Sequence, residues 1–249
     1  MFCNIIVTRP FDQTFTYRVK EGQILKVGSI VSVPFGKSVN QIGMVESVFK
    51  KINFQNDYKI KEVKTVYDLI ILNKNIIEFI YWISDYTLSP VGLVLKLFLI
   101  NEKIIDFTLI EKQKNLFSPD KIKLNNDQKK AVSVISKLIF KSSPPLVLEG
   151  VTGSGKTEVF FEAVESVIKK KQQALIMVPE ISLTPQLESR FIKRFGFPPN
   201  IWHSKISEKK RKEIWHRCYL GESIIVVGAR SSLFLPFKKL GLIVVDEEH

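Results

Sequence analysis

Cysteine is nearly absent from this chain. Cys3 and Cys218 are the only two, far apart and without a C-x-x-C pair, which excludes a disulfide framework and a cysteine-based zinc site and fits a reducing cytoplasm. Long apolar runs are missing too. Lys74, Glu78, Asp85 and Lys96 interrupt the greasiest region, so nothing reaches the roughly 18 uncharged residues of a membrane span, and the N-terminus has no basic segment ahead of a cleavable apolar core. A membrane partner is not expected. Negative charge is also scarce, with 25 Asp and Glu against 37 Lys and Arg, a net charge of +12. The excess is uneven: 13 Lys and Arg face 10 Asp and Glu in residues 1–110, and 24 face 15 in residues 111–249. That distribution points to a polyanion near the second region, against the plainer reading of solubility or an AT-rich coding sequence. No internal repeat or low-complexity segment stands out.

What is present is enough apolar material for one large domain and one small one, 45% of 249 residues. Short β-rich runs broken by turns fill the first 66 residues: Asn4 to Val7, Phe15 to Val19, Ser29 to Val33 and Ile42 to Val48, with Gly28, Gly36 and Gly43 as punctuation. They predict a small barrel-like domain. Ile76, Ile77, Phe79, Ile80 and Ile83 predict one amphipathic helix ending near Ser89-Pro90. The boundaries expected are 1–100 for this domain, 101–123 for a mixed, charged linker, and 124–249 for the second domain. There a helix capped by Asn125 or Asn126 precedes alternating strands and helices: Ala174 to Val178, a helix from near Pro185, Asn200 to Trp202, a helix from Ser207 to Leu220 stopped by Gly221, Ile224 to Val227, and Leu242 to Val245. The fold class is α/β, a doubly wound parallel sheet.

The strongest motif lies at the start of that sheet. Gly150, Val151, Thr152, Gly153, Ser154, Gly155, Lys156 and Thr157 match G-x-x-x-x-G-K-[ST]. A short apolar stretch, Leu146 to Leu148, precedes it as a predicted strand, and Val159, Phe160, Ala163, Val164, Val167 and Ile168 trace a helix face behind it. Glycines let the backbone turn its N–H groups onto phosphate oxygens at a helix N-terminus, where the dipole favours anions. Lys156 would reach the β- and γ-phosphates of ATP, and the Thr157 hydroxyl would ligate Mg²⁺. The second motif is LGLIVVDEEH. Four consecutive apolar residues read as a strand buried on both faces, from whose carboxyl end Asp246 emerges to hold Mg²⁺ and Glu247 to polarise the attacking water.

Loops after the other strands supply short donors suited to a phosphodiester backbone: Ser182 and Thr184, Ser204, and Arg230, Ser231 and Ser232. Ordinary capping is the competing role, above all for Thr184 before Pro185. Lys209 to Lys212 and Lys169 to Lys171 read as solvated helix faces sooner than as a DNA stripe.

GVTGSGKTEV, VPEISLTPQ, HS, GARSSLFLPF and LGLIVVDEEH, in this order, resemble the primosomal replication-restart DNA helicases of the PriA (primosomal protein N′) family, superfamily two motors. TFTY, VSVPFGK and DYTLSPVG are similar to that family's N-terminal domain. The resemblance implies a RecA-like motor lobe behind a domain that binds the 3′ end of a single strand at forked DNA. It also implies an adenine contact by Gln128, a 3′-end pocket from Phe15, Gly36, Lys37 and Lys61, replication-restart proteins as partners, and a cytoplasmic location. Thr16 stands where the family often has an acidic residue. The linker is too short for the family's winged-helix region, since a domain needs on the order of 50 residues; the second motor lobe, arginine finger and zinc module are not expected in a chain that stops after DEEH, so slow turnover at most is expected of it. The alternatives are a non-catalytic module that holds DNA ends and ATP, and a P-loop kinase.

Overall fold

The computed structural model describes residues 1–36, 39–51, 60–100, 105, 123–141, 144–151, 153–179, 185–222 and 224–246. They form two compact units, Met1–Thr108 and Leu109–His249.

In the first unit, strands β1 (Phe2–Val7), β2 (Phe15–Arg18), β3 (Ser29–Phe35), β4 (Val39–Phe49) and β5 (Thr65–Ile71) pair antiparallel in the order β2-β1-β4-β3-β5. Period-two side chains put Cys3, Ile5, Val7, Tyr17, Val31, Val33 and Val45 into one core. The segment ahead of β5 joins the outer strands. Val63 N–H donates to Arg18 O (3.0 Å) and Lys64 N–H to Ser32 O (2.9 Å), so the sheet curls back on itself as the barrel-like pattern predicts. Helix α1 (Lys74–Thr87) starts where Asn73 accepts from Ile76 N–H and stops at Leu88 in the left-handed region. Helix α2 (Val91–Leu99) is an addition to the sequence reading. Its run VGLVLKLFL is too uniformly apolar to show a helical period, because it is buried over most of its surface. The expected linker at 101–123 lies almost wholly outside the described residues.

In the second unit, helices α3 (Asn126–Leu138) and α4 (Lys156–Lys169) precede β6 (Gln173–Met177), α5 (Pro185–Phe195), β7 (Asn200–Trp202), α6 (Glu208–Leu220), β8 (Ile225–Gly228) and β9 (Leu240–Val245). The sheet order is β7-β8-β6-β9, parallel throughout. Phe160, Phe161 and Val164 of α4 pack on Ile176, Ile225 and Val227 and against Phe191 and Phe195 of α5. Phe161 meets Phe191 edge-on at 4.8 Å between ring centres and Phe195 at 5.2 Å. Each fully buried ring stabilises the fold by about 1.5–3 kcal/mol. Among the described residues, no helix is long and apolar enough to cross a membrane.

Two expectations need correcting. Residues 144–150 form no strand, and Leu146 (47%) and Val147 (84%) are exposed. Apolar content does not make a strand without a ladder to join, and Pro144 and Pro145 remove two donors at its start. Likewise β9 is not buried on both faces. Its alternate side chains point to opposite faces, and Leu242 and Val244 pack on the core while Ile243 (45%) and Val245 (52%) stay exposed; in the sheet it has β6 on one side and, among the described residues, no strand on the other.

Charged groups fix α4 against α5. Arg194, with a side chain 3% exposed, donates to Glu162 (2.7 Å) and Glu165 (2.5 Å); Lys169 also pairs with Glu165, and Arg190 with Glu158 at 3.1 Å. Burial alone would raise the Glu165 carboxyl, but the hydrogen bonds from Lys169 and Arg194 outweigh it and hold the group below its usual 4.5. A lowered folded-state pKa gives stability that is present above 4.5 and lost as pH falls through the folded value. Urea unfolding at pH 7 and pH 3 should therefore show a smaller acid loss for Glu165→Gln than for the unsubstituted chain. Equal losses would mean that Glu165 is not a source of the acid sensitivity.

Candidate nucleotide site and nucleic-acid interface

Helix α4 begins at Lys156, directly behind the glycine-rich loop. Gly155 occupies its N-cap at φ +83° with no side-chain cap, leaving first-turn N–H groups facing the loop. Only glycine fits there, since a Cβ would be strained and would meet Gln128 Nε2 at 2.3 Å. The Lys156 ammonium now donates to the carbonyls of Gly150 (2.5 Å) and, more weakly, Val151 (3.5 Å), curling the side chain over the loop. Gln128 forms a capping box with Asn125 (2.9 Å in each direction), and its Nε2 also donates to Ser154 O at 3.1 Å. The residue expected to touch adenine thus ties the start of α3 to the glycine-rich loop. Thr157 is half-buried in the first turn of α4. Thr152 lies outside the described residues.

Helix α4 ends where β6 begins and packs on both β6 and β9. It must therefore run antiparallel to them, and its 14 residues cover about 20 Å. Its N-terminus, with the loop, comes to the edge where the strands end. Asp246 leaves β9 at that edge, its N–H donating to Met177 O at 2.9 Å. Glu247 lies outside the described residues. This edge is held in line across the sheet: Val178 N–H donates to Gly228 O (3.0 Å) and Ala229 N–H to Trp202 O (3.3 Å). Gly228 is needed for that approach, since a Cβ would come within 2.6 Å of Trp202 O.

Of the loop residues expected to meet nucleic acid, Ser204, Arg230 and Ser231 are exposed at this edge. Ser232 is not: buried, it donates from Oγ to Ala229 O at 2.6 Å and shapes the 3₁₀ turn Arg230–Phe234. Ser182 and Thr184 lie outside the described residues. In the first unit, Phe15 packs edge-on to Phe35 (4.9 Å) and Phe11 (5.4 Å) and remains half-buried. Phe35 adjoins Gly36, whose carbonyl accepts from Lys61 Nζ at 3.0 Å. Phe15, Gly36 and Lys61 are therefore gathered at one place; Lys37 lies outside the described residues. Thr16 Oγ1 donates to Asn4 Oδ1 at 2.8 Å.

Sequence reasoning missed Phe11 and Asp12. Asp12 Oδ1 accepts from Val91 N–H at 3.1 Å and so caps α2 from 79 positions away, a pairing without a local signal. It also missed Arg190 and Arg194, whose i, i+4 spacing on one helix face was the available clue. Cys3 and Cys218 are buried thiols in separate units, and burial pushes Cys3 up to about 11. Among the described residues, no group of three or more His, Cys, Asp or Glu could hold a metal ion.

Residues 4–100 match the 3′DNA-binding domain (3′BD) of PriA, and residues 125–249 match the DEAD/DEAH box helicase family. The chain is similar to the replication restart protein PriA of Rickettsia felis, with 40% identity over 94% of this chain and 35% of that protein. It is similar to the protein of the same name in Bacillus subtilis, with 40% identity over 57% of this chain and 16% of the relative. For that of Helicobacter pylori strain J99 the identity is 49%, over 43% of this chain and 17% of the relative. The chain spans about a third of the length of the Rickettsia felis relative.

Proposed function

Since this chain belongs to the DEAD/DEAH box helicases and carries a PriA-type 3′DNA-binding domain, we propose that it binds Mg·ATP and single-stranded DNA, as part of an ATP-dependent 3′-to-5′ helicase acting on forked DNA in replication restart. The proposed division of labour is 1–100 for the 3′ end, 101–123 as linker and 124–249 as first motor lobe, in the cytoplasm, with replication-restart proteins as partners. The observation that carries this reading is the sharing of one sheet edge by the phosphate loop and Asp246, the arrangement that a magnesium-bound triphosphate requires.

The residues present suit that ligand. Gly153 and Gly155 turn an uncapped helix N-terminus toward anions, and Lys156 exchanges its loop carbonyls for β- and γ-phosphate oxygens. Bound magnesium neutralises phosphate charge; Thr157 and Asp246 are the residues to hold it. Glu247 is assigned to orient the attacking water, and Gln128 to the adenine once its Ser154 contact yields. Arg230 and Ser231, with Ser182 and Thr184, are assigned to the phosphodiester backbone. Phe15, Gly36, Lys37 and Lys61 are assigned to the terminal nucleotide, with an aromatic for the base and ammonium groups for phosphate. The non-catalytic module is the weaker reading, because the helicase match runs over residues 125–249.

The pocket assignment is tested by fluorescence anisotropy on linear single-stranded DNA and a circular strand of the same composition. Lys61→Met should weaken binding to the linear strand about 5- to 10-fold and lower its salt slope by about 0.7. Binding to the circle, which has no 3′ end, should hardly change. Equal losses on both strands would refute the assignment.

A further inference from the structure

We infer that Arg211 is a positioning residue for strand binding, holding the His203–Lys205 turn so that Ser204 and Lys205 meet the phosphodiester backbone; this rests on the motor-lobe reading above. The basic run Lys209–Lys212 on α6 looks like a uniform charged face, but its members differ in the structure. Lys210 is paired with Glu213 on its own helix at 3.2 Å. Arg211 turns instead to β7. Its guanidinium lies over the Trp202 ring, 5.6 Å from the centroid, and Nη2 donates to Ser204 O at 3.0 Å.

Trp202 is a firm base for that contact, since it is only 5% exposed and its carbonyl accepts from Ala229 N–H. Among the described residues, the turn beyond it has few other hydrogen bonds. Lys205 N–H donates to His203 Nδ1 (3.1 Å), and Ile206 N–H reaches His203 O at 3.4 Å, a long contact. Arg211 thus adds a side-chain link between this short turn and the Trp202 ring of the sheet. It leaves the Ser204 hydroxyl and the Lys205 ammonium exposed at the edge that also presents Arg230 and Ser231. A planar guanidinium can stack on a ring and donate sideways at once, which an ammonium cannot. With its face on Trp202 and an N–H on the Ser204 carbonyl, Arg211 is set to place the turn.

The test uses the whole 249-residue chain and a circular single strand, so that 3′-end binding does not contribute. Arg211→Lys, which keeps the charge, should weaken binding as much as Arg211→Met, about 5- to 10-fold. Lys205→Met alone should weaken binding by a similar factor. In the Lys205→Met background, Arg211→Lys should add little, the non-additivity expected of residues acting as one unit. Thermal melting of each variant reports the folded fraction to which affinities are referred. Arg211→Lys binding like the unsubstituted chain, effects that add with Lys205→Met, or unchanged affinity per folded molecule would each overturn the inference. Failure of the unsubstituted chain to bind the circle would overturn it too, while binding to linear DNA would leave the 3′-end reading intact.

Discussion

Lys156→Ala is expected to weaken binding of a non-hydrolysable Mg·ATP analogue by about 100-fold or more, roughly 3 kcal/mol, while leaving binding to a linear single strand near normal. On the proposed assignment the lysine would supply charge-assisted hydrogen bonds to phosphate, each worth about 1.5–3 kcal/mol where water is partly excluded. Its present contacts sharpen the expectation. The ammonium rests on the Gly150 and Val151 carbonyls, so alanine also releases the loop from its own clasp. Titration calorimetry with tri- and diphosphate separates these effects. A γ-phosphate contact makes the loss larger for the triphosphate; loop release alone weakens both equally. Unchanged affinity for both would remove the nucleotide assignment.

The second large effect concerns stability. Arg194→Met should destabilise the second unit by about 3 kcal/mol, because Glu162 and Glu165 lose the cation between them. The lower end of the range for broken buried pairs applies, since Glu162 is 30% exposed and keeps some water, and Glu165 retains Lys169. Chemical unfolding followed by circular dichroism measures it. Adding Glu162→Gln and Glu165→Leu to the arginine variant should recover much of the loss, because the stranded charges are then gone and the phenylalanine packing of α4 on α5 remains. A single variant as stable as the parent would show that the carboxylates are adequately solvated without Arg194.

The parts of this molecule that were legible in advance are those made of contiguous residues. Asn125, Gly155, Ser207 and Gly221 mark helix ends as their side chains or positive φ dictate, and the edge strand Asn200–Trp202 stands where its pattern placed it. Where the reading failed, the missing information was a neighbour. Leu146 to Leu148 has the composition of a strand, but no described strand is paired to it, and the four apolar residues of β9 meet a core on only one face. Gln128 has bonds that no motif announced, to Asn125 and Ser154, beside the base contact expected of it.

The glycine-rich loop is a run of eight consecutive residues, so the chemistry proposed for it is written locally, in an order that can be read before any fold is known. The order of strands, the ion pairs between α4 and α5, and the meeting of Arg211 with Trp202 join residues from separate elements. Those pairings were settled only when the core closed, because burial of Phe161, Phe191 and Phe195 sets which helix faces meet, and charged groups at the margin then take the partners within reach.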